Sequence, residues 1–194
     1  MILSQEDLKI KYKNYSDIKG KVRREVAAGN LIPLMRGLYE TNPNVSGKLL
    51  AGYIYGPSYL SFDYALSAYS LIPEIVFNTF ISATFKKSKT KIYQNQFGTF
   101  IYQDVPEGVY SLGVLIKEEE GYKYLIATPE KALCDKLYSL PPVNTIKGLR
   151  ALLFEDLRMD EGEFAKLNMD DLCALAPLYR STTLNTFVKF LRRK

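Results

Sequence analysis

The stretch from residue 15 to residue 41 leaves this chain little structural freedom. Ser16 can cap a helix over residues 17–28, in which Ile18, Val22 and Val26 recur at i, i+4 and i+8 and form one apolar stripe. Lys19, Lys21, Arg23 and Arg24 fall off that stripe. Gly20 inside the helix costs about 1 kcal/mol relative to alanine, and would let a phosphate approach the backbone closely. Gly29 and Asn30 supply a C-terminal stop. Residues 31–34 and 38–41 then read as short strands around Met35-Arg36-Gly37, and Pro33 confines the first to an edge. A helix capped by Ser4, with Asp7 in its first turn, Leu8 and Tyr12 facing inward and Asn14 at its end, precedes this stretch. Helix, stop and hairpin in this order are how a winged helix-turn-helix ends.

Charge points the same way. The net charge of +5 is modest, but its distribution is uneven. Residues 9–36 hold eight basic side chains against Asp17 and Glu25, a local balance of +6. Residues 155–171 hold seven acidic side chains against Arg158 and Lys166. A basic N-terminal module supplies sequence-independent attraction to phosphates. A run such as Lys19-x-Lys21-x-Arg23-Arg24 is also what a solvated helix face carries. The adjoining hairpin, with Arg36 at the wing position, favours the DNA reading. The expected DNA-binding residues are Lys19, Lys21, Arg23, Arg24 and Arg36, with Arg23 or Arg24 reaching a base edge because arginine can grip guanine in a bidentate way.

Catalytic alternatives thin out quickly. The chain has no histidine, which removes Ser-His-Asp and Cys-His catalysis and every His-containing metal site. No GxGxxG or GxxxxGK[ST] loop occurs. The only Asp-x-Lys tripeptides of nuclease type, Asp7-Leu8-Lys9 and Asp17-Ile18-Lys19, fall on presumed helices. Neither the Gly-Ser pair nor the Asp-x-Asp pair of a minimal nucleotidyltransferase is present. The expectation is therefore not an enzyme, with no cofactor and no metal. Cys134 and Cys173 sit among apolar neighbours and read as buried thiols. With neither a secretory signal nor a long apolar run, they suggest a cytoplasmic protein with no membrane association.

Residues 42–44, Asn-Pro-Asn, make the best domain boundary. The expected fold is α+β: a winged helix-turn-helix over residues 1–42, then a mixed α/β domain over residues 43–194 that ends in helices. In the second part we expect helices at 47–55 and 62–69, the latter capped by Ser61 with Asp63 against its dipole. Strands follow at 75–84, 91–94, 99–103, 109–116 and 123–127, with a charged turn at Glu118-Glu119-Glu120-Gly121. Thr128-Pro129-Glu130 starts a further helix with Leu133 and Leu137 inward, Asp135 and Lys136 on its solvated face, and Pro141-Pro142 as the stop. Helices at 146–156, 161–167, 170–175 and 182–193 complete the chain, the last capped by Ser181.

The segments Leu34-Met35-Arg36-Gly37-Leu38-Tyr39, Tyr59-Leu60-Ser61-Phe62-Asp63-Tyr64-Ala65-Leu66-Ser67-Ala68-Tyr69 and Ala127-Thr128-Pro129-Glu130-Lys131-Ala132-Leu133-Cys134-Asp135 together resemble the AbiEi-type antitoxins. These are the regulatory halves of bacterial abortive-infection toxin–antitoxin pairs. The resemblance covers roughly residues 15–138, and its motifs are structural. It departs from the family in having two helices before the wing where three are usual. It implies a winged helix that binds its own operator in double-stranded DNA, an inverted repeat engaged by a homodimer, and represses the operon. It also implies a C-terminal domain that counters a nucleotidyltransferase-like toxin encoded alongside. The competing expectations are a protein-interaction module whose winged helix has lost DNA binding, docking a basic partner on residues 155–171, and, further off, a carboxylate-only metal-dependent nuclease.

Overall fold

The computed structural model describes residues 1–74 and 77–193. The first unit runs β1 (Ile2–Ser4), α1 (Gln5–Lys11), α2 (Ile18–Ala27), β2 (Ile32–Met35) and β3 (Leu38–Glu40). Its three strands form an antiparallel sheet in the order β1-β3-β2. Strand β1 was not expected. Three residues are too few to show a period, and only pairing with β3 (Ile2 opposite Glu40, Ser4 opposite Leu38) makes them a strand. Pro33 does lie on an edge strand, and the register slips between Pro33 and Met35.

The first helix starts as expected and stops sooner. Ser4 Oγ accepts from Asp7 N at 3.2 Å while Asp7 accepts from Ser4 N at 2.8 Å, a reciprocal capping box, and α1 is already finished at Lys11. The cap of α2 is Asp17, not Ser16: its carboxylate accepts from Gly20 N at 2.8 Å. A Cβ on Gly20 would lie 2.0 Å from that carboxylate, so the glycine that weakens the helix also lets its cap close. Gly29 (φ +77°) and Gly37 (φ +81°) take the left-handed conformations that end α2 and turn the hairpin.

The second unit is built on a six-stranded mixed sheet, ordered β6-β7-β5-β4-β9-β8. A 3-10 turn (Gly47–Leu49) and the short α3 (Ala51–Ile54) replace the single helix expected at 47–55. Next come β4 (Tyr59–Leu60), α4 (Phe62–Ala68), β5 (Thr79–Thr84), β6 (Lys91–Asn95), β7 (Gly98–Asp104), β8 (Val114–Glu119) and β9 (Tyr122–Ala127). The first two positions of the strand expected at 75–84 lie outside the described residues. The strand expected from 109 begins at Val114, because Glu107–Val109 is a 3-10 turn. Glu120 (φ +52°) and Gly121 (φ +79°) close the β8–β9 hairpin in the all-positive conformation that suits a two-residue turn.

The tail is helical: α5 (Pro129–Ser139), α6 (Ile146–Ala151) continuing as a π-helical turn (Leu152–Asp156), α7 (Glu161–Ala165), α8 (Met169–Leu175) and α9 (Thr182–Leu191). Thr128 caps α5, accepting from Lys131 N at 3.2 Å, with Pro129 in the first turn. Ser181 precedes α9 in extended conformation but makes no side-chain cap. The chain is thus α+β, with two sheets and nine α-helices among the described residues.

The sequence boundary at 42–44 divides the chain but not the core. Alternate positions of the small sheet face opposite ways, as the two-residue strand period requires. Leu3, Leu31 and Tyr39 pack with Leu8, Tyr12 and the stripe of α2. Ile2, Ile32, Leu34 and Leu38 belong to the large core with Phe97 and Phe100. Asn95 Nδ2 donates to Leu34 O at 3.1 Å, tying β6 to β2. Glu40, fully buried, accepts from the backbone N–H groups of Thr41 and Asn42 at 2.8 Å each, from Tyr122 Oη at 3.0 Å, and from the Met1 ammonium. Burial acts to raise its pKa, and these donors outweigh it and hold the carboxyl below the ordinary value. Leu34→Ala should therefore cost about 2–5 kcal/mol, as a buried leucine does. Urea unfolding followed by circular dichroism should show one transition for the whole chain; separate melting of residues 1–42 would contradict the shared core.

Candidate nucleic-acid interface

Successive residues of a helix are set about 100° apart, so the cations of α2 cannot all face one way. Lys19 and Arg23, one turn apart, flank the same side of the apolar stripe. They line a cleft of about 650 Å³ between α1, α2 and the β2–β3 hairpin. Gln5 and Lys9 of α1 and Arg36 and Gly37 of the hairpin complete its rim. Leu8, Ile18, Val22 and Tyr39 form its floor. Three of the five residues expected to contact DNA, Lys19, Arg23 and Arg36, therefore converge, and all three are exposed.

The other two stand apart. Lys21 lies on the opposite flank, where its ammonium pairs with Glu25 at 2.5 Å and sits 5.1 Å from the ring centre of Tyr15. The hydrogen bond from Lys21 lowers the Glu25 pKa, helped by Asn30, and Glu25 in turn raises that of Lys21. A lysine held in this way is poorly placed to neutralise a phosphate. Arg24 is exposed but does not line the cleft; it projects from the solvent side of α2, nearly opposite the stripe. Lys9, outside the expected set, joins the rim because α1 lies beside α2, a placement that chain distance does not reveal.

The polar residues that sequence reasoning misplaced lie elsewhere. Asp135 was expected on a solvated helix face, yet it is completely buried, as is Lys131 one turn earlier. Lys131 Nζ donates to Asp135 Oδ1 at 2.9 Å and to Tyr179 Oη at 2.5 Å. Tyr179 Oη donates to Asp135 Oδ1 at 2.5 Å, Tyr59 Oη to Oδ2 at 2.9 Å, and Ser61 Oγ to Oδ2 at 2.6 Å. Ser61 was expected to cap α4; its hydroxyl is instead committed to Asp135 and makes no cap. Burial pushes the Lys131 ammonium down against the pull of Asp135, and burial followed by the Asp135 charge pushes both phenols up. Lys136 pairs with Asp63 at 2.8 Å, so it is not simply solvated either. The available signal was the run Ala132-Leu133-Cys134 with Leu137, which makes α5 apolar on more than one face.

This network is sealed from solvent and joins β4, α5 and the turn at 176–179, which makes it a structural clamp. Asp135→Ala should cost about 3–5 kcal/mol by stranding the Lys131 charge in the core, whereas the double replacement Lys131→Met/Asp135→Leu should cost less. Urea denaturation of the wild type and both variants decides it; a double variant that loses as much as Asp135→Ala, or more, would contradict the clamp.

Among the described residues, no group of three or more Asp, Glu or Cys side chains stands close enough to hold a metal ion. In the acidic stretch 155–171, Asp160 caps α7, accepting from Glu163 N at 2.8 Å, and Asp170 and Asp171 occupy the first turn of α8. Part of that charge thus serves helix N-termini. No described helix is long and apolar enough to cross a membrane. The chain matches no known protein-family model, and no curated protein is significantly similar to it.

Proposed function

We propose that the chain is a DNA-binding transcriptional autorepressor and antitoxin. In this reading residues 1–42 are a winged helix-turn-helix: α1 and α2 are the helix pair, the β2–β3 hairpin is the wing, and β1 completes the sheet behind them. The observation that carries the reading is the convergence of Lys19, Arg23 and Arg36, from a helix and an adjacent hairpin tip, on one exposed cationic cleft. Arg24 adds a further cation on the outer side of α2, where a helix seated in a groove meets base edges.

The antitoxin half of the proposal rests on the resemblance to the AbiEi type. Two of the segments that carry it meet in space: Tyr59 and Ser61 of one bond to Asp135 of the other. Their side chains thus hold the fold together, as structural family motifs would. The partners of this reading are the chain's own operator, bound as an inverted repeat by two copies, and a nucleotidyltransferase-like toxin encoded beside it, all in the cytoplasm.

A gel shift on DNA upstream of the gene tests the proposal. Wild-type protein should bind with a log–log salt slope of about −0.9 per phosphate contact. Arg23→Ala and Arg36→Ala should each lower affinity, by about 1–3 kcal/mol where a base contact is lost or with a slope reduced by about one where a phosphate contact is lost. Lys21→Ala should change little, because Glu25 already engages that lysine. Unchanged affinity in both arginine variants, or a flat salt response, would remove the interface. Co-expression with the neighbouring gene tests the antitoxin half: growth arrest that this chain relieves supports it, and arrest that it does not relieve refutes it.

A further inference from the structure

Helix α2 has no fully buried residue. Ile18, Val22 and Val26 rest half-covered against a core of only four buried side chains, Leu3, Leu8, Tyr12 and Leu31. Where the covering stops, the cleft begins. DNA accounts for the cations of its rim but not for its floor, since a phosphodiester backbone offers no apolar body to cover the half-buried Ile18, Val22 and Tyr39.

We propose that this cleft binds a small amphiphilic anion, an apolar tail bearing a carboxylate or phosphate head. Its volume of about 650 Å³ falls within the range of small-molecule sites, about 300–1,000 Å³. Charge selects the head. Lys9, Lys19, Arg23 and Arg36 all line the cleft, no acidic side chain does, and none of the four has an ion-pair partner among the described residues. The floor selects the tail, whose burial would complete the half-covered stripe of α2. The inference goes beyond DNA binding and does not depend on it.

Calorimetric titration of the full chain with decanoate, below its micellar range, tests this directly. Acetate supplies the head without the tail, and decyltrimethylammonium the tail with the opposite charge. Decanoate should bind saturably at one site, and both controls about tenfold more weakly or not at all. Methyl NMR shifts should map to Leu8, Ile18 and Val22. The exposed-residue variant Lys19→Glu/Arg23→Glu, which spares the core, should weaken decanoate about tenfold. No saturable binding, equal binding of the cationic amphiphile, shifts that map elsewhere, or an unaffected double variant would overturn the proposal. So would ligand-free shifts at the same methyls that grow with protein concentration, which would mean that a second copy fills the cleft. No DNA enters the assay, so its failure leaves the DNA reading standing, and loss of operator binding leaves this site standing.

Discussion

Everything in this molecule depends on a three-stranded sheet that belongs to two cores at once. Because side chains alternate across a strand, Leu3, Leu31 and Tyr39 can hold the helix pair while Ile32, Leu34 and Leu38 sit in the larger core. The small core between the helix pair and this face of the sheet has four buried side chains among the described residues, Leu3, Leu8, Tyr12 and Leu31, too few to stand by itself. Its rigidity is borrowed through the hairpin, whose base is held by Glu40 and Tyr122 and whose first strand is held near the tip by Asn95 on Leu34 O. The position of Arg36 relative to Lys19 and Arg23 is therefore set by the whole chain, not by residues 1–42 alone.

The second unit owes its coherence to a different device. Lys131 and Asp135 are charges enclosed in apolar surroundings, tolerated because Tyr59, Ser61 and Tyr179 satisfy the remaining bonds. These partners come from separate elements, so the network fixes how the C-terminal helices meet the sheet. The consequence for function is indirect: a well-determined large core presents the small sheet, and with it the cationic cleft, in one geometry.

Legibility in the sequence followed the range of the forces involved. The helix of residues 17–28, the Gly29 stop, the hairpin at Arg36-Gly37, the Ser4 cap and the Thr128-Pro129 start were readable, because each is decided by neighbours within one or two turns. Strands β1 and β4 were not, since two or three residues become a strand only when distant partners bond to them. Ser61 and Asp135 read as ordinary surface and cap residues because their true partners lie 74 positions apart. In the candidate interface the residue types were visible but their grouping was not. Helical phase puts Lys19 with Arg23 and Lys21 with Glu25, and only the folded chain brings Lys9 and Arg36 to the first pair.

Amide hydrogen exchange of the full chain, with and without the duplex upstream of its gene, tests most directly whether the cationic cleft is the surface that meets DNA. The account predicts slowed exchange in α2 and at the tip of the β2–β3 hairpin, residues 17–28 and 34–38, fading as salt is raised. Protection confined to residues beyond 43, with α2 and the hairpin tip unchanged, would contradict it.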